Sequence, residues 1–293
     1  YAEARDLDAL LAKPVTGPAA PHYRPPAPTF ANTPPTDFSR DSARAAFGQA
    51  LERAREARGR IYPLAIAGGS KSGANEHAAI NPAHPAQVLG RIELAETTHA
   101  EQAVANALEA FPAWRDTPAA RRVELMLRAA GILFERRADF AAWQVLEQGK
   151  NWREADADVA EAIDHLRFYA AEMARLDGWH PTVSFPGEIN RTRYEPRGVA
   201  AIISPWNFPL AILAGMTGAA LVTGNCAIMK PATPALIVAH RFHAVLLEAG
   251  FPAAVCQLLP GAGSSVGGHL VRHPGIDIVA FTGSREVGLA IIE

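Results

Sequence analysis

The sequence predicts an α/β protein: a Rossmann-like parallel sheet with helices on both faces, preceded by a helical part and a β-hairpin. Three observations predict it. From Gly198 onward, four short and largely apolar runs (199–203, 226–229, 255–259 and 276–281) alternate with helix-length segments. Strands apolar at nearly every position are buried on both faces, the pattern of parallel sheets built from β-α-β units. Before Gly198, apolar residues recur at helical spacing over long stretches. Finally, 293 residues with 49% hydrophobic and 20% charged side chains suffice for a large core without disulfides or metals.

The elements follow in order. Residues 6–11 suit a short amphipathic turn or two, and eight prolines between Pro14 and Pro35 make an extended linker or a strap along a surface. Residues 1–35 are therefore assigned to a Pro-rich leader, and 36–293 to one dinucleotide-binding domain. Residues 39–58 read as a helix and 62–66 as a strand ending at Gly68-Gly69, with a turn at Asn81-Pro82 and Pro85. Thr98 and Glu101 suit a capping box for a helix with Ala100, Val104, Leu108 and Phe111 inward. Thr117-Pro118 suits a cap and first position, with Val123, Leu127, Ala130 and Phe134 inward. Residues 140–148 are helical up to Gly149, and 154–176 form the longest helix. Residues 182–185 and 190–194 flank Pro186-Gly187 as a hairpin. Isolated hairpins are marginal, so this one is either an arm for oligomer contact or an edge hairpin on its own domain. In the β-α-β part, helices are expected at 210–222, 234–249 and 266–272. A last helix starts at Ser284 with Val287, Ala290 and Ile291 on one face, and reaches Glu293 without a Gly, Asn or Pro stop. That is expected of a domain that continues further; a short terminal helix is the alternative.

Bulk properties exclude several functions. A net charge of -2 gives no electrostatic case for nucleic acid or an anionic membrane. No apolar run of the ~18 residues needed for a membrane span exists, and no signal-peptide pattern is visible. Cys226 and Cys256, the two cysteines, lie in apolar runs, which fits a reducing, cytoplasmic compartment. They sit at strand starts as buried, inert thiols rather than nucleophiles. The ten histidines show no metal-ligand spacing with cysteine, so no metal is expected.

Ligands of such sheets bind beyond the carboxyl ends of the strands. After Ile203 comes Ser204-Pro205-Trp206-Asn207-Phe208-Pro209, a stiff loop. Asn207 offers a neutral amide donor for a developing oxyanion, or else caps a turn or the next helix. After Met229 comes Lys230, which must sit at the mouth or meet an acceptor such as a ribose hydroxyl or a phosphate, unless it is simply exposed. After Leu259 a loop containing Gly261 and Gly263 permits close backbone approach, although its spacing does not match G-x-G-x-x-G. After Phe281, Gly283 and Ser284 enter a helix and form a natural anion site.

Residues 204–209, Gly224-Asn225, Lys230-Pro231 and 281–284, in this order, resemble the aldehyde dehydrogenase superfamily. Residues 32–39, 62–64, 147–152 and 158–164 resemble its 1-pyrroline-5-carboxylate dehydrogenase branch, whose substrate is L-glutamate γ-semialdehyde. The resemblance implies NAD rather than NADP as cofactor and a small-molecule aldehyde as substrate. It implies that Ser204, Pro205 and Trp206 line the cofactor cleft, with Gly263 in the glycine loop beside it. Lys230 would bind the adenosine ribose, Gly283 and Ser284 the pyrophosphate, and Val287 would pack near the adenine. Asn207 would hold the oxyanion, and Phe208 and Glu161 would face the substrate, though Glu161 reads equally as a solvated helix residue. Many relatives carry glutamate where Thr233 stands, so the adenosine is expected to be held differently here. The family's nucleophilic cysteine and general-base glutamate match nothing in this sequence, which implies a catalytic domain missing from the chain and no turnover by it alone. The hairpin would belong to an oligomerisation flap in a homo-oligomer. Residues 6–14 resemble the connector after the proline dehydrogenase module of bifunctional proline utilization A proteins, which implies such a module upstream. The competing readings are another NAD(P)-dependent aldehyde dehydrogenase, or a non-catalytic assembly module that keeps the fold.

Overall fold

A computed structural model describes residues 30–66, 75–183 and 185–293 of the chain. The leader's predicted turns at 6–11, and Gly68-Gly69, lie outside the described residues. Residues 30–36 run extended and are pinned to the longest helix, α5, at Trp152–Leu176. There Thr33 N–H donates to Asp164 (2.7 Å) and Thr36 donates to Asp156 through N–H and hydroxyl (2.9 and 2.7 Å). Arg137 grips the same Asp156 with two bonds and also donates to the Pro34 carbonyl. The end of the proline-rich stretch is thus a strap along α5.

Before α5 come α1 (Asp41–Glu56), α2 (Thr97–Arg115), α3 (Ala119–Glu135) and α4 (Arg137–Gln148), which ends on left-handed Gly149 (φ 68°). Several local expectations shift. The capping box of α2 is Glu96 with His99, not Thr98 with Glu101. Glu96 is the last extended residue, so its carboxylate and the His99 ring satisfy the free amides two residues earlier. Thr117 does not open α3: its hydroxyl donates back to the Ala113 carbonyl, and Pro118 takes the cap position. The inward stripes hold in part: Ala100, Val104 and Ala130 are buried and Phe111 and Val123 pack on the core. Leu108, Leu127 and Phe134 are exposed, whereas Ala103, Ala107 and Trp114 of α2 and Leu125, Met126, Ala129 and Leu133 of α3 are buried. In α3, apolar side chains on both sides of the helix left the periodicity ambiguous, and packing chose the stripe with Met126.

A first sheet escaped the sequence reading. Strands β1 (Arg60–Tyr62), β2 (Asn75–Asn81) and β3 (His84–Leu94) pair in the order β1-β3-β2. The predicted strand at 62–66 therefore lies a few residues earlier. The predicted turn at Asn81-Pro82 joins β2 to β3, Pro85 lies inside β3 rather than in the turn, and the two strands around the turn were not predicted. Gly90 is required here: a Cβ at this position would meet the Tyr62 ring of β1 at 2.7 Å. The hairpin is shorter than expected. Strands β4 (His180–Pro181) and β5 (Arg191–Thr192) pair over two residues; of the predicted strand at 182–185, Thr182, Val183 and Phe185 lie in no strand and Ser184 is outside the described residues, although Thr182 N–H still donates to the Asn190 carbonyl (3.0 Å), and Gly187 takes φ 90°. Proline at both 181 and 186 limits the available ladder donors.

The second sheet matches the prediction closely. Strands β6 (Val199–Ser204), β7 (Cys226–Pro231), β8 (Cys256–Leu258) and β9 (Ile278–Phe281) are all parallel in the order β8-β7-β6-β9. Helices α6 (Ala211–Val222) and α7 (Leu236–Ala249) cover one face, with α3 and α5 behind them, and α2 covers the other. A 3-10 turn at Thr233–Ala235 opens α7, and a π-helical turn at Gly263–Gly267 opens α8 (Gly268–Arg272). Helix α9 (Arg285–Ile292) closes the chain. The core runs from Phe47 in α1 to Leu270 in α8, so the described residues share one hydrophobic interior. Among them no helix is long and apolar enough to cross a membrane.

Candidate functional site

The strand order places β6 between β7 and β9, so the chain leaves β6 in one direction and returns on its other side. The crevice at such a reversal, beyond the carboxyl ends, is where open α/β sheets bind ligands. Register puts the expected residues there together. Ile203 pairs with Lys230 on one side and with Phe281 on the other, Ser204 pairs with Pro231, and Thr282 N–H donates to the Ile203 carbonyl.

Two groups at this edge are conspicuously unmatched. Lys230 is 7% exposed, and its ammonium has no acidic partner among the described residues. Burial pushes its pKa below the ordinary lysine value. Next to it, the Ser204 hydroxyl is buried without a hydrogen-bond partner among the described residues. Buried polar groups are normally satisfied, so such a pair marks a place shaped for a polar ligand. The loop after β8 supplies the wall: a Cβ at Gly263 would meet no protein atom within 4 Å, and one at Gly267 would lie 3.7 Å from the Lys230 chain. On the far side Ser284 caps α9, its hydroxyl accepting from Val287 N–H at 3.4 Å. Gly283 allows this entry because a Cβ there would strike the Phe281 ring at 2.7 Å. Val287 is half-exposed on the first turn, and Ala290 and Ile291 are not buried either, so the helix's expected inward face has no cover among the described residues. Thr233 is half-buried in the turn that follows Lys230.

The loop 205–209 rises beside this crevice with Trp206 and Phe208 exposed and Pro209 buried. Asn207 is exposed and does not cap α6. That task falls to Asp158 of α5, whose buried carboxylate accepts from Leu210 and Ala211 N–H at 3.2 and 3.4 Å. Lys150, nearly buried, lies 3.7 Å from Asp158 and 4.7 Å above the Phe208 ring. Burial raises the Asp158 pKa although Lys150 and the amides pull the other way, so desolvation is the larger effect. The sequence reading missed both roles. The available signal was a lysine straight after the helix-ending Gly149, and an aspartate inside an otherwise apolar helix face. Glu161 lies one turn beyond Asp158, half-exposed, with His165 Nε2 at 3.8 Å. His165 Nδ1 donates to the Ala211 carbonyl (3.0 Å), so this pair stands at the start of α6, just after the loop that leaves β6. Both line a cavity of about 510 Å³ under the strap, with Phe30, Asn32 and Phe168.

Cys226 pairs with Val199 at the opposite end of the sheet. Burial pushes the Cys226 and Cys256 thiols up to about 12, as expected of inert structural cysteines. A cavity of about 810 Å³ also lies at that end, between Arg122, Trp179, Tyr194 and Asn225. It holds neither Lys230 nor Ser204.

Residues 70–293 match the aldehyde dehydrogenase family model. The chain is 47% identical over 264 residues to 1-pyrroline-5-carboxylate dehydrogenase of Geobacillus thermodenitrificans, covering 90% of this chain and 51% of that protein. The same enzyme from Thermus, solved with bound NAD, superposes with a TM-score of 0.87 at 42% identity, over 91% of this chain and 52% of that one. Proline utilization A from Bdellovibrio bacteriovorus gives 0.88 at 40% identity, covering 92% of this chain and 28% of that one. The chain thus spans about half the length of the curated relatives it matches. With the family's sheet, strand-end loops and sequence all present over most of its length, the chain belongs to the aldehyde dehydrogenase family.

Proposed function

We propose that this chain is the NAD-binding portion of a dehydrogenase that oxidises L-glutamate γ-semialdehyde, the open form of 1-pyrroline-5-carboxylate, to glutamate in proline catabolism. The observation that carries it is a buried Lys230 beside a buried Ser204 hydroxyl at the sheet's reversal point, neither with a partner among the described residues. Lys230 would donate to the adenosine ribose, which places a hydroxyl acceptor where no carboxylate stands. Free amides at Gly283 and Ser284 would face the pyrophosphate, where a helix start favours negative charge. Val287 and the Gly263 loop would flank the adenine end, and Ser204, Pro205 and Trp206 the cleft. The same residues would accommodate NAD in preference to NADP. Bound NAD would accept the hydride. Asn207 would direct its amide at the oxyanion, and Phe208 and Glu161 would meet the aldehyde substrate. The arm 182–194 would serve a homo-oligomer contact, and the relation to proline utilization A suggests a proline dehydrogenase module upstream.

The chain by itself should not turn over aldehyde. Its two thiols lie at the wrong end of the sheet and stay protonated. Its test is calorimetric titration with NAD. Saturable binding is expected, weakened by Ser284→Asp, which sets a carboxylate against the pyrophosphate. A folded chain that binds no NAD, or a Ser284→Asp variant that binds it as well as the wild type, would refute the strand-end assignment.

A further inference from the structure

Away from the crevice, two histidines and a glutamate converge between α2 and α8. His269 and His273 stand four residues apart, their rings 5.6 Å apart, and both direct Nε2 at Glu101 on α2. The distances are 2.8 Å from His269 Nε2 to one carboxylate oxygen and 3.0 Å from His273 Nε2 to the other. One candidate ligand atom from each residue lies within 4.8 Å of the others. Sequence spacing gave no hint of this, because Glu101 and His273 are 172 residues apart.

We propose that Glu101, His269 and His273 form a site for a divalent transition-metal ion of the zinc class, tying α2 to α8. Two neutral imidazoles and one carboxylate are the donor set that suits such ions, with further positions left to water. An ion at ~2.1 Å from three ligand atoms needs them roughly 3–4 Å apart, so only small side-chain rotations separate this cluster from ligation. A second observation points the same way. His269 Nε2 is enclosed from solvent and, among the described residues, meets only the Glu101 carboxylate at 2.8 Å, outside good hydrogen-bond alignment, so no other protein group competes with an ion for it. The site opens onto a cavity of about 590 Å³ that includes Thr97, Ser264 and Ser265, so an ion can enter.

Two features oppose the ion and set its affinity. His273 Nδ1 accepts Gly275 N–H at 2.9 Å, which places the ring proton on Nε2. Ligation through Nε2 moves that proton to Nδ1 and sacrifices the Gly275 bond, weakening binding by about tenfold. Arg272, on the same cavity wall, adds a positive charge, although its guanidinium turns back to the Gly268 carbonyl. The consequence for the fold is local: α8 carries the glycine turn 263–267, so an ion held here would stiffen the wall of the strand-end crevice.

The test is zinc titration of the 293-residue chain by calorimetry, with cobalt(II) absorption as a second readout. One zinc per chain is expected, with a raised Tm that a chelator reverses. Cobalt should show visible d–d bands without a thiolate charge-transfer band, because no cysteine takes part. Glu101→Gln, isosteric and exposed, should weaken zinc by about tenfold or more, and His269→Ala with His273→Ala should abolish it. Absence of zinc binding, a sulfur charge-transfer band, or unchanged stoichiometry and affinity in the folded double variant would each overturn the site.

Discussion

Lys230 lies at the end of an apolar strand, with no acidic side chain to neutralise it among the described residues. Removing its charge should therefore separate binding from stability. Lys230→Met is expected to weaken NAD by roughly 10–100-fold, the loss of a hydrogen bond from a charged donor. The same change should leave Tm unchanged or raised, because a buried charge is replaced by an apolar chain of similar length. Calorimetry and thermal melts on one preparation would check both. Glu147 is a second residue with a strong environment. It is fully buried, accepts from Ile237 and Val238 N–H at 2.7 and 3.0 Å, and is pushed by burial to about 7. Between the ordinary 4.5 and about 7, the folded chain keeps a proton that the unfolded chain releases. Its contribution to stability is thus full below pH 4.5 and declines as pH rises to about 7. Glu147→Gln removes that decline, so wild type should lose a few kcal/mol relative to the variant between pH 5 and 7.5. Urea unfolding at the two pH values gives this difference directly.

At the scale of elements, the start of α6 is held from outside. The helix has no side-chain cap of its own, and Asp158 of α5 supplies the acceptor for two of its free amides. Because 205–209 runs straight into that start, α5 also fixes where Asn207 and Phe208 stand. Lys150 joins the arrangement through its ion pair with Asp158 and its position over Phe208. Asp158→Asn keeps one acceptor but leaves Lys150 nearly buried without its anion. A loss of about 3–5 kcal/mol is expected, as for other broken buried pairs. A shift in tryptophan fluorescence should accompany it as Trp206 moves with the loop. Unchanged unfolding midpoints would mean that the helix start tolerates water in place of the carboxylate.

For the molecule as a whole, the arm stands out. Val183, Phe185 and Ile189 are 79%, 66% and 80% exposed, a concentration of apolar surface on a two-residue ladder. Exposed apolar surface of this kind promotes association. Multi-angle light scattering should show concentration-dependent self-association of the wild-type chain, reduced by the double change Phe185→Lys with Ile189→Lys. A monomer at every concentration would remove the arm's proposed role. Equal association in the double variant would assign it to another surface, such as the uncovered side of α9.

The parallel sheet was legible because its strands are apolar almost throughout and its helices are separated by unambiguous Gly and Pro signals, as at Gly224, Gly250 and Pro252. The strand-end residues followed from that topology, since strand direction alone puts Ser204, Lys230 and Thr282 at one edge. Ser284 was legible as a cap for the same local reason. The hairpin's turn was legible and its ladder was not. Long-range partners had no local signature. Strands β2 and β3 were hidden by Pro82 in their turn and Pro85 inside β3, and the stripes of α2 and α3 were decided by what packs against them. Asp158 capping a helix 52 residues later, and Glu101 meeting His273 across 172, arise only when distant segments share a surface. Local chemistry sets the elements and the ends at which they can bind. Which buried charges meet, and which stay unmatched and available to a ligand, is decided by tertiary packing, because a buried polar group's cost depends on neighbours far away in the chain.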